Sequence, residues 1–159
     1  MPFVVRPLRP NEERSYLQVV NRAVRGLAGS HYPPEAIDGW VLPLDEPTLA
    51  DLRLNAEHEI RLVVEADGTV VGIGALVPER SELRACYVLP QAARKGHGTA
   101  LVREMERLAR QHGLTRLELA ASLNAERFYA ALGYEVRERS ELVLRNGHTL
   151  AAVWMAKEL

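Results

Sequence analysis

The stretch from Glu82 to Ala121 constrains the fold of this chain more than any other. Glu82 to Leu89 reads as a strand, Pro90 breaks it, and a basic loop with Gly96 and Gly98 leads into a helix that runs to about His112. In that helix Leu101, Met105 and Leu108 line one side while Arg103, Glu104, Arg107 and Arg110 face outward, and Gly113 sits where a C-terminal cap belongs. Arg116 to Ala121 then returns as a strand. Such a unit implies two parallel strands joined by a right-handed crossover. At its turn, glycines allow close backbone approach and the helix start offers unpaired N–H groups with a partial positive charge. Strand–RKGHG–helix is thus either a phosphate cradle or an ordinary strand-to-helix turn, and these residues alone leave both open.

The flanking segments supply the rest of a mixed α/β domain. Phe3 to Arg6 is a short apolar strand before Pro7. Asn11 is a candidate cap for a helix with Glu12 and Glu13 in its first turn, and Leu17, Val20, Val24 and Leu27 form one apolar face that stops near Gly26 and Gly29. Pro33-Pro34 restarts a helix through about Trp40, and a third short piece covers Thr48 to Leu54. Ile60 to Glu65 and Val70 to Val77 read as a hairpin closed by Asp67-Gly68, with Gly72 and Gly74 as thin spots in its second arm. After the crossover come a short helix from Asn124 to Leu132 and strands from Tyr134 to Leu144 and Thr149 to Lys157, joined across Asn146-Gly147.

Composition narrows the classes of function. At 159 residues the chain is read as one domain, residues 1–159, able to bury roughly two-thirds of its unfolded surface. Twenty basic and twenty-one acidic residues leave a net charge of −1, so no nucleic-acid partner is expected, since a general binder needs a basic surplus. Cys86 is the only cysteine, which rules out an intramolecular disulfide and makes a cytoplasmic setting the simplest expectation. No apolar run approaches the ~18 residues that would call for a membrane span. The five histidines are scattered without metal-ligand spacing, so no metal is expected.

Three phosphate-loop patterns can be compared with the glycine turn. A P-loop needs Lys then Ser or Thr after its last glycine, whereas His97 follows Gly96. A dinucleotide fingerprint fits Gly96 and Gly98 but meets Leu101 at its third glycine, too bulky for the helix–strand packing required. The whole stretch, Val88-x-Pro90 followed by a basic loop and Gly96-x-Gly98, resembles the acyl-CoA pyrophosphate loop of the GNAT superfamily of N-acetyltransferases. The segment from Asn124 through Phe128-Tyr129 to Gly133-Tyr134 resembles that superfamily's Asn-x-x-x-Phe-Tyr-x-x-x-Gly-Phe/Tyr pattern, in the usual order and separation. The resemblance covers nearly the whole chain and is tightest from Glu82 to Tyr134. The Tyr32–Trp40 piece and the C-terminal Met155-x-Lys157 look like one bacterial subgroup whose substrates are often unassigned.

That resemblance implies a fold and a set of residue roles. The fold would be a mixed, mostly antiparallel twisted sheet of about seven strands flanked by about four helices, with a central parallel pair that splays apart. Acetyl-CoA would be the co-substrate, its arm lying in the splay against backbone near Tyr87 and Val88. Arg94, Lys95, Gly96, His97, Gly98 and Thr99 would surround the pyrophosphate. Asn124, Phe128 and Tyr129 would line the arm, with Asn124 equally readable as a helix N-cap and Phe128 as a core aromatic. The superfamily usually places Gln or Arg three residues before the first loop glycine, and Ala93 stands there instead.

Transfer of an acetyl group to an amine needs an oxyanion donor, a base for the amine and an acid for the departing thiolate. A backbone N–H near Cys86 to Val88 suits the first, worth up to about 3 kcal/mol. Tyr129 matches the superfamily's acid, since a phenol of pKa ~10 stays protonated at neutral pH. Glu82 is the first choice of base and Glu118 the second. Cys86 is expected to be a small buried residue. Tyr16, His31, Tyr32, Glu35, Asp38, Trp40, Asp45 and Glu46 are expected near the acceptor, a mix that suits a cationic amine. The acceptor itself stays open between a small amine and a protein N-terminus, and superfamily habit puts a homodimer among the expectations. Two other functions fit the same residues: a catalytically weak acyl-CoA-binding regulatory module, and a nucleotide-binding domain.

Overall fold

The computed structural model describes residues 2–159. One seven-stranded sheet organises them: β1 (Phe3–Pro7), β2 (Ile60–Ala66), β3 (Thr69–Val77), β4 (Glu82–Val88), β5 (Arg116–Ser122), β6 (Glu135–Val143) and β7 (Thr149–Glu158), in the order β1-β2-β3-β4-β5-β7-β6. Every neighbouring pair is antiparallel except β4–β5. That parallel pair registers at only one position, Glu82 opposite Glu118, with the Glu118 N–H donating to Ser81 O at 2.9 Å. Beyond it the two strands part, as the resemblance implied.

Five α-helices accompany the sheet among the described residues: α1 (Glu13–Ala23), α2 (Pro34–Trp40), α3 (Glu46–Leu54), α4 (His97–Gln111) and α5 (Glu126–Ala131). At its centre the sheet is covered on both faces, which is why Leu62-Val63-Val64 of β2 is apolar throughout, whereas β5 alternates between buried and exposed and β6 is largely exposed. Leu62 and Val64 point to the side covered by α4, packing with Leu101, Val102 and Met105. Val63, alternating with them, faces α1 and packs with Leu17, Val20 and Val24. The β2–β3 turn places Asp67 and Gly68 both at positive φ, 52° and 75°, the backbone that a two-residue hairpin loop demands. The β6–β7 hairpin also forms, but over a longer loop closed by Leu144 N–H to His148 O at 2.8 Å.

Two local expectations are corrected. Asn11 does not cap α1: its backbone is left-handed (φ 72°), and the capping position belongs to Glu12, whose side chain instead accepts from the Arg9 N–H (2.7 Å) and the Arg6 guanidinium (2.9 Å). Nor does the first helix run evenly to its glycines. After Ala23 it widens into a π-helical turn, Val24–Ala28, of the kind often found at functional sites. This turn packs on the segment after β4: a Cβ on Gly26 would drive into the Pro90 ring. Gly26→Ala is therefore expected to cost about 1–3 kcal/mol through overpacking against a ring that cannot rotate away. Urea unfolding measures it, and an unchanged midpoint would show that the two segments are not locked together.

Candidate active site

The site is assembled where β4 and β5 separate. Before α4 the chain turns through left-handed backbone at Arg94 (φ 62°) and again at Gly96 (φ 86°). The first i→i−4 bond of α4 is Ala100 N–H to Gly96 O at 3.0 Å, so the N–H groups of His97, Gly98 and Thr99 have no intrahelical acceptor. Successive N–H groups in such a turn converge on an anion, helped by the helix dipole. Gly98 is required for a second reason: a Cβ there would stand 3.1 Å from Cζ of Phe128, whose ring edge rests on the loop. The His97 imidazole has a structural part. It is buried, meets Ala92 O through Nδ1 at 3.1 Å and packs edge-on against Phe3 at 4.6 Å.

A cavity of about 300 Å³ opens from this turn. Tyr87 and Val88 of β4, Arg94, Gly96, His97, Gly98 and Thr99 of the turn, and Asn124 and Phe128 beyond β5 all line it, with Ala23, Val24, Leu27 and Ala28 of the first helix closing the far side. Lys95 is exposed and does not reach it. Ala93 lines it too, so the small side chain leaves the turn's backbone accessible. Asn124 is not the cap of α5, a position held by Ala125 without a side-chain bond. Its Oδ1 is buried with no hydrogen-bond partner among the described residues. A buried acceptor left unpaired costs about 1–3 kcal/mol, so an N–H donor from a bound molecule would satisfy it. The pantetheine arm of an acyl-CoA carries such amide donors, and the turn offers N–H groups to its pyrophosphate.

Sequence reasoning did not find what holds Asn124 there. Tyr32 is buried, donates through its hydroxyl to Ala151 O (2.6 Å) in β7 and accepts from the Leu123 N–H (2.8 Å). One phenol from the start of α2 thus pins the end of β5 to β7. Nothing local in the sequence signals a bond between residues so far apart.

A second cavity, also about 300 Å³, lies on the other side of the gap. Glu82, Arg84, Tyr129, Leu142, Leu150 and Trp154 line it, and it shares Trp40, Cys86, Tyr87, Ser122 and Ala125 with the first. Tyr129 is 6% exposed and packs edge-on against Phe128 (5.0 Å) and Tyr134 (5.8 Å). Burial above all, then the neighbouring Cys86, holds its hydroxyl protonated well above the ordinary phenol value. Burial likewise pushes the Cys86 thiol up to about 12, although the Tyr129 hydroxyl beside it lowers it. Cys86 is therefore no ready nucleophile. Glu82 accepts from Arg84 at 2.9 Å, and Arg84 in turn donates to Glu59 at 3.1 Å. Glu118, opposite Glu82 in the parallel pair, is exposed, paired with Arg116, and lines neither cavity. Of the residues expected near the acceptor from the helices before the hairpin, Trp40 alone lines these cavities; Tyr16 and Tyr32 are core residues, and His31, Glu35, Asp38, Asp45 and Glu46 line neither. No group of three or more His, Cys, Asp or Glu able to hold a metal ion occurs among the described residues, and no described helix is long and apolar enough to cross a membrane.

A glycine turn at a helix start thus opens onto a cleft between two parting parallel strands, with a protonated phenol lining the second cavity. The chain belongs to the acetyltransferase (GNAT) family, whose model matches residues 26–134; it is a GNAT N-acetyltransferase. Its fold is similar to that of a GCN5-related N-acetyltransferase from Rhodopseudomonas palustris, with 27% identity, TM-score 0.90 and 100% of this chain and 97% of that one covered. PaiA N-acetyltransferase from Thermoplasma acidophilum, solved in complex with coenzyme A, shares the fold at 19% identity and TM-score 0.80, with both chains fully covered. YncA from Salmonella typhimurium, solved with its cofactor acetyl-CoA, does so at 20% identity and TM-score 0.75, over 100% of this chain and 95% of that one.

Proposed function

We propose that the chain acts as a single domain that transfers the acetyl group of acetyl-CoA to a primary amine by direct attack in a ternary complex. The observation that supports this most is the meeting of two cavities at Cys86, Tyr87 and Ser122, where the parallel strands part. One is built for a pyrophosphate and an amide-bearing arm; the other holds a carboxylate and a phenol. In this reading the turn's N–H groups take the pyrophosphate and Asn124 Oδ1 accepts from an amide of the arm. The amine attacks the thioester carbonyl, a C–N bond forms, and the C–S bond breaks.

Two proton movements balance the reaction. Glu82, the one carboxylate lining the second cavity, takes a proton from the amine, directly or through water. Tyr129 donates to the sulfur as it leaves. Its raised pKa does not oppose that role, because the same apolar surroundings raise a thiol as well, as Cys86 shows in place.

The test is release of free thiol from acetyl-CoA over a panel of primary amines. Glu82→Gln should lower kcat by about 10²-fold or more while leaving acetyl-CoA affinity, measured by calorimetry, unchanged. An unchanged kcat would remove Glu82 as base, and absence of thiol release with every amine would remove the reading itself.

A further inference from the structure

The chain has two tryptophans, Trp40 and Trp154, and both line the second cavity. Trp40 arrives from the end of α2, its indole N–H donating to the Tyr87 hydroxyl at 3.3 Å. Trp154 comes from β7, opposite Ala120 of β5. Leu142 and Leu150 extend this wall. With about 300 Å³, the cavity lies at the small end of ligand pockets, enough for a compact molecule.

Its charges are few and already matched. Arg84 is the one cationic side chain in the lining, and it is held by Glu82 and Glu59 at 2.9 and 3.1 Å. Glu59 is tied in addition to Arg61 at 2.8 Å. An acceptor bearing a carboxylate would thus meet Glu82 and find no unpaired cation. A polyamine would bring two ammonium groups to a lining with a single carboxylate, leaving one of them buried against indole and leucine. An aromatic body with one amine meets neither obstacle, because aromatic rings pack well edge-on or offset against indoles.

We propose that the acceptor is an arylalkylamine lacking a carboxylate, with its ring against Trp40 and Trp154 and its amine directed to the junction at Cys86 and Tyr129. Trp154 is then a specificity-determining residue. This rests on the reading that the second cavity takes the acceptor.

The two indoles supply a direct readout, since no other tryptophan contributes to the emission. Phenethylamine, L-phenylalanine and putrescine are each titrated into the 159-residue protein with coenzyme A present, reading tryptophan fluorescence. In parallel, thiol release from acetyl-CoA gives kcat/KM for each amine. Phenethylamine is expected to change the emission saturably and to exceed the other two in kcat/KM by about tenfold or more. Trp154→Ala should remove most of that preference while acetyl-CoA affinity, measured by calorimetry, is kept. If Trp154→Ala does not fold, Trp154→Leu and the wild-type titrations decide the matter. Equal or better use of phenylalanine or putrescine, or no emission change with phenethylamine, overturns the proposal. Failure of the transferase reading looks different: no amine releases thiol, yet a saturable, phenethylamine-selective emission change still supports the assignment of the pocket.

Discussion

Tyr129→Phe is expected to lower kcat by about 10²–10⁴-fold, the usual range for losing a positioned proton donor. That corresponds to roughly 2.7–5.5 kcal/mol of transition-state stabilisation. The substitution removes one oxygen and keeps the ring, so the edge-on contacts with Phe128 and Tyr134 persist. Tyr129 lines the second cavity and not the first, so affinity for acetyl-CoA should stay within about twofold of wild type. Stopped-flow or steady-state thiol release gives kcat, and isothermal calorimetry gives the affinity. Loss of both together would point to a collapsed cleft, whereas unchanged turnover would exclude the hydroxyl from the chemistry.

The second large effect concerns stability. Glu106 of α4 is 1% exposed and accepts from Lys157 (2.9 Å), Tyr134 (2.9 Å) and Arg103 (2.9 Å). This cluster ties α4, the helix that follows the glycine turn, to the end of β7 and to the tyrosine that packs on Tyr129. Glu106→Leu would leave the Lys157 ammonium and the Tyr134 hydroxyl without their acceptor. Breaking a buried pair from one side costs about 3–5 kcal/mol; the lower end applies because Lys157 retains partial access to water. At about 2–4 °C per kcal/mol for a chain of this size, the melting temperature should drop by roughly 6–12 °C. Adding Lys157→Met should restore part of the loss, since it removes the orphaned charge. A fall below about 1 kcal/mol would mean the cluster relaxes freely.

The same carboxylates shape the response to acid. Burial alone would raise the Glu106 pKa, but the bonds from Lys157, Arg103 and Tyr134 outweigh it and hold the carboxyl below its usual range. Glu12, bonded to Arg6, is lowered to about 2. A carboxylate depressed in the folded state contributes stability above its unfolded pKa and loses it as pH falls through the folded value. Wild type should therefore weaken from about pH 4.5 downward, and Glu106→Leu should show a shallower acid limb.

Much of this protein could be read from the chain. The crossover, the hairpin at Asp67-Gly68 and the helix faces rest on local periodicity and turn chemistry, which act over a few residues and leave direct traces. The glycine turn and the Asn124–Tyr134 segment were legible for the same reason: their spacing is short and their residue types are specific. The π-helical turn was not legible, and neither was the close approach of Gly26 to Pro90, far along the chain. Asn124 fitted a helix cap and a ligand contact equally in the sequence; the cap position falls to Ala125, and the Asn124 Oδ1 is left buried and unpaired. Glu82 and Glu118 looked alike as strand carboxylates. They face each other across the single register of the parallel pair, yet only Glu82 lines the cavity.

By itself, then, the sequence determined the order of elements, the glycine turn before α4 and the family, since each is written in neighbouring residues. Tertiary structure alone decided which side chains meet. It brought Trp40 and Trp154 from distant parts of the chain to one cavity, fastened β5 to β7 through Tyr32, and enclosed Glu106 among three donors. Those contacts depend on strand order and on where two parallel strands stop pairing, and long-range geometry of that kind has no local signature.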